Sequence, residues 1–233
     1  MKRCKADFVR MCLFLLATVP AYCQRGMIGV DAGQASDKFG GLSQVNGALI
    51  NLNGEFTLIQ PNKKEGGPSI DIGGEMRLPI DTTNHAKEFA VFGGPAWKAH
   101  NLSIGVNAQV RKIILPTANV DNQIIDRATM ELFELPVVIK YTFGAAPNRA
   151  FVQVQGAPEF SPRWHQPSGS ILPNPHLDHG YFVRGSVGYI FGKWYARATY
   201  ETRYFSFTQD LGNPSGLYNW RSNQITGGVG FAF

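Results

Sequence analysis

Beyond residue 23 this 233-residue chain has no cysteine; all three, Cys4, Cys12 and Cys23, fall at its beginning. A disulfide framework and thiol chemistry are therefore excluded for the remainder. A dominant charge sign is missing too. Four bases and one acid lie in the first 23 residues, which leaves 18 bases and 16 acids of the 22 and 17 in the whole chain. The basic isoelectric point is thus largely a property of the leader, and it gives no support to a nucleic-acid partner. No later stretch approaches the roughly 20 apolar residues of a membrane-spanning helix. A repeat at a period of roughly 20 to 50 residues is absent, as are heptads and low-complexity tracts. The glycines form neither a GxGxxG nor a P-loop pattern, so no cofactor is expected.

What is present starts with the leader, "MKRCKADFVRMCLFLLATVPAYCQR". Lys2, Arg3, Lys5 and Arg10 precede an apolar run from Met11 to Val19, followed by Pro20 and the Ala21-x-Cys23 pattern. This is the layout of a cleaved secretory signal peptide. Residues 1–23 are expected to be removed, and 24–233 to form one exported all-β domain.

The remainder alternates apolar and polar residues with period two, the mark of strands with two unlike faces. In "KWYARATYETRYFSF", Trp194, Ala196, Ala198, Tyr200 and Tyr204 oppose Arg197, Glu201 and Arg203. In "SIDIGGEMRL", Ile70, Ile72, Met76 and Leu78 oppose Asp71, Glu75 and Arg77. The pattern predicts ten strands, over 27–34, 45–58, 69–78, 88–98, 101–114, 128–143, 149–160, 181–191, 193–207 and 223–233, with eight the alternative count. Short connections alternate with long ones along the chain. That is the wiring of a closed antiparallel transmembrane up-and-down β-barrel with tight periplasmic turns and longer extracellular loops.

Charge placement favours lipid over a soluble core. The polar faces carry both signs in reach of one another, and the chain is expected to fill its lumen with a paired network of Glu75, Arg77, Arg111, Lys140, Arg184, Arg197, Glu201 and Arg203. Aromatics including Trp97, Tyr141, Phe143, Phe191 and Trp194 sit near strand ends on the apolar face, as interfacial girdles do. Glu131 shares parity with Leu135 and Val137, so it is expected above the membrane rim. Pro136 cannot donate to a ladder and should mark an irregular pairing.

The run "FELPVVIKYTF", Phe133 to Phe143, followed by a turn and "RAFVQVQGAPEF", resembles the bacterial outer-membrane-protein β-barrel families, among them porin-like and OmpA-type small barrels. Glu134, Leu135, Pro136, Val137, Val138, Ile139, Lys140 and Tyr141 carry the likeness. The ending "NQITGGVGFAF" is similar to the C-terminal signal of such proteins, with Ile225, Val229, Phe231 and Phe233 in the apolar row. The resemblance implies a bacterial outer-membrane location, the lipid bilayer as surroundings, and the barrel-assembly machinery as a partner during biogenesis. It implies nothing about oligomeric state.

Two functions follow as expectations. The first is a non-enzymatic envelope role, structural, adhesive or as a narrow pore, with no catalytic, cofactor or metal residues. The alternative is an outer-membrane hydrolase, a protease or lipid A-modifying enzyme, with its site on the extracellular loops. Asp178, His179 and Asp210 could serve the former chemistry, and Ser168, Ser170 and His165 the latter. His176, Asp178 and His179 have a spacing that could also hold a metal.

Overall fold

The structure, a computed structural model, describes residues 25–40, 43–59, 66–80, 85–115, 118–120, 123–125, 129–165, 176–208 and 219–233. The leader lies outside the described residues. Period-two alternation becomes fourteen strands: β1 (Arg25–Phe39), β2 (Val45–Ile59), β3 (Gly67–Pro79), β4 (Lys87–Ala99), β5 (Leu102–Val106), β6 (Ala108–Ile114), β7 (Ala118–Val120), β8 (Gln123–Ile125), β9 (Thr129–Glu134), β10 (Val137–Ala145), β11 (Asn148–His165), β12 (His176–Phe191), β13 (Trp194–Thr208) and β14 (Trp220–Ala232).

Twelve of these form one antiparallel sheet that closes on itself. β5 and β6 both pair with β4, and β9 and β10 both pair with β11, so each of these couples is one barrel strand interrupted once. The barrel therefore has ten strands. The two interruptions face each other at Asn107 and at Leu135–Pro136, where the Asn107 amide donates to the Pro136 carbonyl at 3.0 Å. Proline's missing donor leaves its neighbour without a regular partner, and both strands break at the same level. Inward and outward parity continues across Asn107, because Val106 and Ala108 are both exposed.

Several strands run further than the pattern predicts. β1 continues five residues past 34, β11 extends to His165, and β12 begins at His176. β7 and β8 form a separate hairpin within the connection 115–128, which reads as loop from sequence alone. The short turns 100–101, 146–147 and 192–193 lie at the end that carries Arg25 and Phe233. The strand ends at Pro79 and Lys87, at Ile114 and Thr129, at His165 and His176, and at Thr208 and Trp220 lie at the opposite, loop end.

The faces are inverted relative to a water-soluble protein. Ile225, Val110 and Val91 are 62%, 55% and 52% exposed, whereas Arg111 and Glu134 are 0% exposed. A soluble sandwich would bury those aliphatics and solvate those charges. On β12 the outward row Phe191, Tyr189, Val187, Gly185, Val183 and Tyr181 spans about 25 Å at ordinary rise and tilt, the height of a barrel's apolar band. The fold is a transmembrane β-barrel.

β1 and β14 close it, in register from Met27 against Ala232 to Phe39 against Trp220. Gly26 and Phe233 add a reciprocal pair of backbone hydrogen bonds at 2.9 and 3.0 Å. The Phe233 ring lies over Gly26 and packs on Phe56 of β2, with centroids 6.1 Å apart. A Cβ on Gly26 would come within 2.7 Å of both rings. The terminal aromatic therefore spans three strands across the seam, and the absence of a side chain at residue 26 makes room for it.

Candidate functional site: the filled lumen

Inward side chains stack in layers along the barrel axis. The middle layer is ionic. Arg77 on β3 makes a bidentate pair with Glu201 on β13, both contacts at 2.7 Å, and its Nη1 also reaches Glu88 on β4 at 3.2 Å. Arg111 on β6 donates to Glu88 at 2.9 Å and to Glu134 on β9 at 3.2 Å, and lies 2.7 Å from Glu75. Arg184 on β12 bridges Glu75, at 2.8 Å, and Glu201. Arg203 sits among Glu134, Glu88, Glu159 and Glu201 at 3.5 to 3.7 Å. The Phe182 ring lies 5.1 Å from the Arg203 guanidinium and 5.9 Å from that of Arg111.

Some of these contacts join neighbouring strands, but Arg77–Glu201 and Arg184–Glu75 cross the barrel, because their strands lie on different sides of the wall. Buried charges persist only when paired and hydrogen-bonded. Glu75, Arg77, Glu88, Arg111, Glu134, Arg184 and Glu201 each have more than one partner. Among the described residues, Arg203 is held among its carboxylates without a hydrogen bond, and Glu159 pairs only with Arg203. Gln224 donates to Glu88 at 3.2 Å, and Gln109 donates to Glu134.

Towards the loop end the filling becomes apolar. Phe39, Ile113, Leu115, Met130, Leu132, Phe205, Phe207 and Trp220 form one buried cluster. The Trp220 ring is stacked between Phe39 and Phe205 at centroid distances of 6.3 and 5.6 Å. Beside it His85 and Ala86, just before β4, pack into the barrel. His85 is buried with its Nδ1 2.7 Å from Asp37, and Trp220 Nε1 donates to the same carboxylate at 3.1 Å.

Below the ionic layer is a polar cavity of about 50 Å³, bordered by Asn51, Asn53, Gln153, Gln155, Arg184 and Arg197. That volume has room for a few waters and no larger solute. Arg197 closes on Asp31, which also accepts from Asn53 at 2.9 Å. Gly228 lies against Asp31, and a Cβ there would displace the carboxylate. Towards the terminal end, Lys140 pairs with Glu55 at 3.6 Å and Lys98 with Asp71 at 2.7 Å.

Of the residues expected in the lumen network, Glu75, Arg77, Arg111, Arg184, Glu201 and Arg203 share the central layer. Lys140 and Arg197 face the lumen but belong to separate pairs nearer the termini. Glu134 and Glu159 join the layer, as does Glu88, which sequence reasoning missed. Glu88 is at the start of its strand, and its parity with Ala90 would have pointed it inward. Asp37 and His85 were also missed. The first lies beyond the strand end inferred at residue 34, and the second lies in a connection with no periodicity.

On the outer wall, Ile225, Val229 and Phe231 face outward at 62%, 60% and 38% exposure, and Phe233 completes the row. Glu131 also faces outward near the loop end, 3.3 Å from Lys112. His179 and Asp178 form an exposed pair at 2.9 Å. The backbone of His176 starts β12, while Ser168, Ser170 and Asp210 lie outside the described residues. His165, at the end of β11, is 3.9 Å from Glu131. Among the described residues no group of three metal-ligating side chains converges.

No protein-family model and no curated protein matches the chain. Solved structures similar to it include the translocator domain of the autotransporter NalP from Neisseria meningitidis, at 10% identity over 98% of this chain and 97% of that one, with a TM-score of 0.38. Ail, the attachment invasion locus protein of Yersinia pestis, is similar at 10% identity over 90% and 98%, with a TM-score of 0.30. OccK5 of Pseudomonas aeruginosa is similar at 6% identity over 91% and 99%, with a TM-score of 0.23. Likeness at this level assigns no role, and the barrel stands on the chain's own strand pairing.

Proposed function

We propose that this chain is a bacterial outer-membrane β-barrel with a non-enzymatic envelope role, exerted through its wall and surface loops, and that it passes no large solutes. The lumen carries this reading. An ionic layer that crosses the barrel and an aromatic layer at the loop end lie in series, and the polar cavity below the ionic layer has room for only a few waters. Ten strands lie near the size that side chains can fill, well short of the 16–18 of open porins. The bilayer is the partner of the apolar wall. The barrel-assembly machinery is the partner of the terminal row Ile225, Val229, Phe231 and Phe233 during insertion.

The reading is tested by expressing the full chain in a Gram-negative host. Recovery in the outer-membrane fraction, heat-modifiable migration in detergent and electrically silent planar bilayers are expected. A stable conductance of porin size would overturn the closed lumen. Recovery as a soluble periplasmic protein would overturn the membrane role.

A further inference from the structure

The apolar band is shorter on one side of the barrel. On β12 it runs through six outward positions to Tyr181. On β1 it ends at Ala32, and Ser36 and Lys38 follow on the same outward face. On β14 the outward row passes from Ile225 to Asn223 and Arg221. Lys38 and Arg221 are directly opposed across the closing seam, and both are exposed. One step nearer the band, Ser36, Asn223 and Thr202 are opposed in turn across β1, β14 and β13. Tyr204 is opposed to Arg221, and its ring lies 5.8 Å from Tyr181.

Like charges directly opposite one another on a sheet destabilise it. Elsewhere on the same rim, Lys112 and Arg163 both oppose Glu131, so an acid lies between the two bases. Lys38 and Arg221 make no salt bridge among the described residues. Opposed side chains start about 5 Å apart at Cβ, so both can reach one anion. Arginine supplies a two-pronged fork and lysine a point charge, a combination suited to phosphate.

The position selects the source of that anion. The pair lies where the apolar band gives way to the loop end, at the depth of lipid headgroups, and Tyr204 and Tyr181 continue the same row across the next two strands. We infer that Lys38 and Arg221 clasp the headgroup phosphate of a phosphorylated membrane lipid at the loop-end leaflet, with the Ser36, Asn223 and Thr202 row facing the polar part of the same headgroup. The inference rests on the membrane role proposed above.

In the test, the full chain is folded in detergent and checked by heat-modifiable migration and by insertion into vesicles. It is then titrated with bisphosphorylated lipid A, with the dephosphorylated lipid and with inorganic phosphate, and retained lipid is read by native mass spectrometry. The bisphosphorylated lipid is expected to be retained in preference, and inorganic phosphate to leave it in place. The folded double variant Lys38→Gln/Arg221→Gln should retain it about thirtyfold more weakly, from about fivefold per cation near an anionic surface. Lys112→Gln should match the wild type. If the double variant does not fold, Arg221→Gln alone carries the test at about fivefold. Equal retention of the dephosphorylated lipid, or by the charge-removed variant, would overturn the inference. Displacement by inorganic phosphate would make this a free-anion site and overturn the lipid source. A wild-type chain that fails to insert would instead overturn the membrane role itself.

Discussion

The ionic layer and the aromatic layer occupy the same lumen and are both buried, yet they hold the barrel in different ways. In the ionic layer each guanidinium is held by carboxylates from several strands, so the layer fixes how strands sit across the barrel from one another. In the aromatic layer, Phe39, Trp220 and Phe205 come from the consecutive neighbours β1, β14 and β13, so the stack holds adjacent strands and caps the mouth. The first is intolerant of losing one member, because a charge left behind stays buried in a lumen with room for only a few waters. The second loses packing in proportion to what is removed.

The largest effect is expected from Glu201→Ala, which removes one of the two carboxylates that Arg77 and Arg184 share. A loss of about 3–5 kcal/mol is expected for breaking a buried pair in this way, measured by urea unfolding in lipid vesicles. A loss under about 1 kcal/mol, the range of exposed pairs, would place the layer in contact with water and erase the contrast. Trp220→Ala should cost about 3 kcal/mol as a cavity, read in the same assay. Neither change should open the barrel. Only their combination is expected to give ion current across a planar bilayer, and current from Trp220→Ala alone would show that the ionic layer does not seal.

At the seam, Gly26→Val should lower stability by about 1–3 kcal/mol through overpacking against Phe233 and Phe56. Deletion of Phe233 should lower outer-membrane levels more than it lowers the stability of molecules already folded. Normal levels of the deletion would remove the terminal ring from assembly. The smallest effect is expected from Lys112→Ala, where the Glu131 partner is exposed, and a change below about 1 kcal/mol should appear in the unfolding midpoint.

The inward and outward assignment of residues along β3 and β13 was fully legible in the sequence, since Asp71, Glu75 and Arg77, or Arg197, Glu201 and Arg203, recur at every second or fourth position. The irregularity at Pro136 was legible as well, from the chemistry of one residue. Its counterpart at Asn107 was not, because that break arises in a strand whose own sequence is regular. The same limit hid the division of the lumen charges. Lys140 and Arg203 are alike in parity, and nothing local separates a residue of the terminal-end pairs from one of the central layer.

The sequence by itself determined the two faces of the wall and a closed antiparallel sheet, and left the strand count at ten or eight. A period of two is a property of each strand alone, and the cost of a charge in lipid makes it binding. Only the tertiary structure decided which charges meet, that Trp220 stacks between Phe39 and Phe205, that His85 enters the mouth beside Asp37, and that Phe233 lies over Gly26. Those contacts depend on the stagger at which strands distant in the chain come round to face one another, and that stagger is set only when the sheet closes.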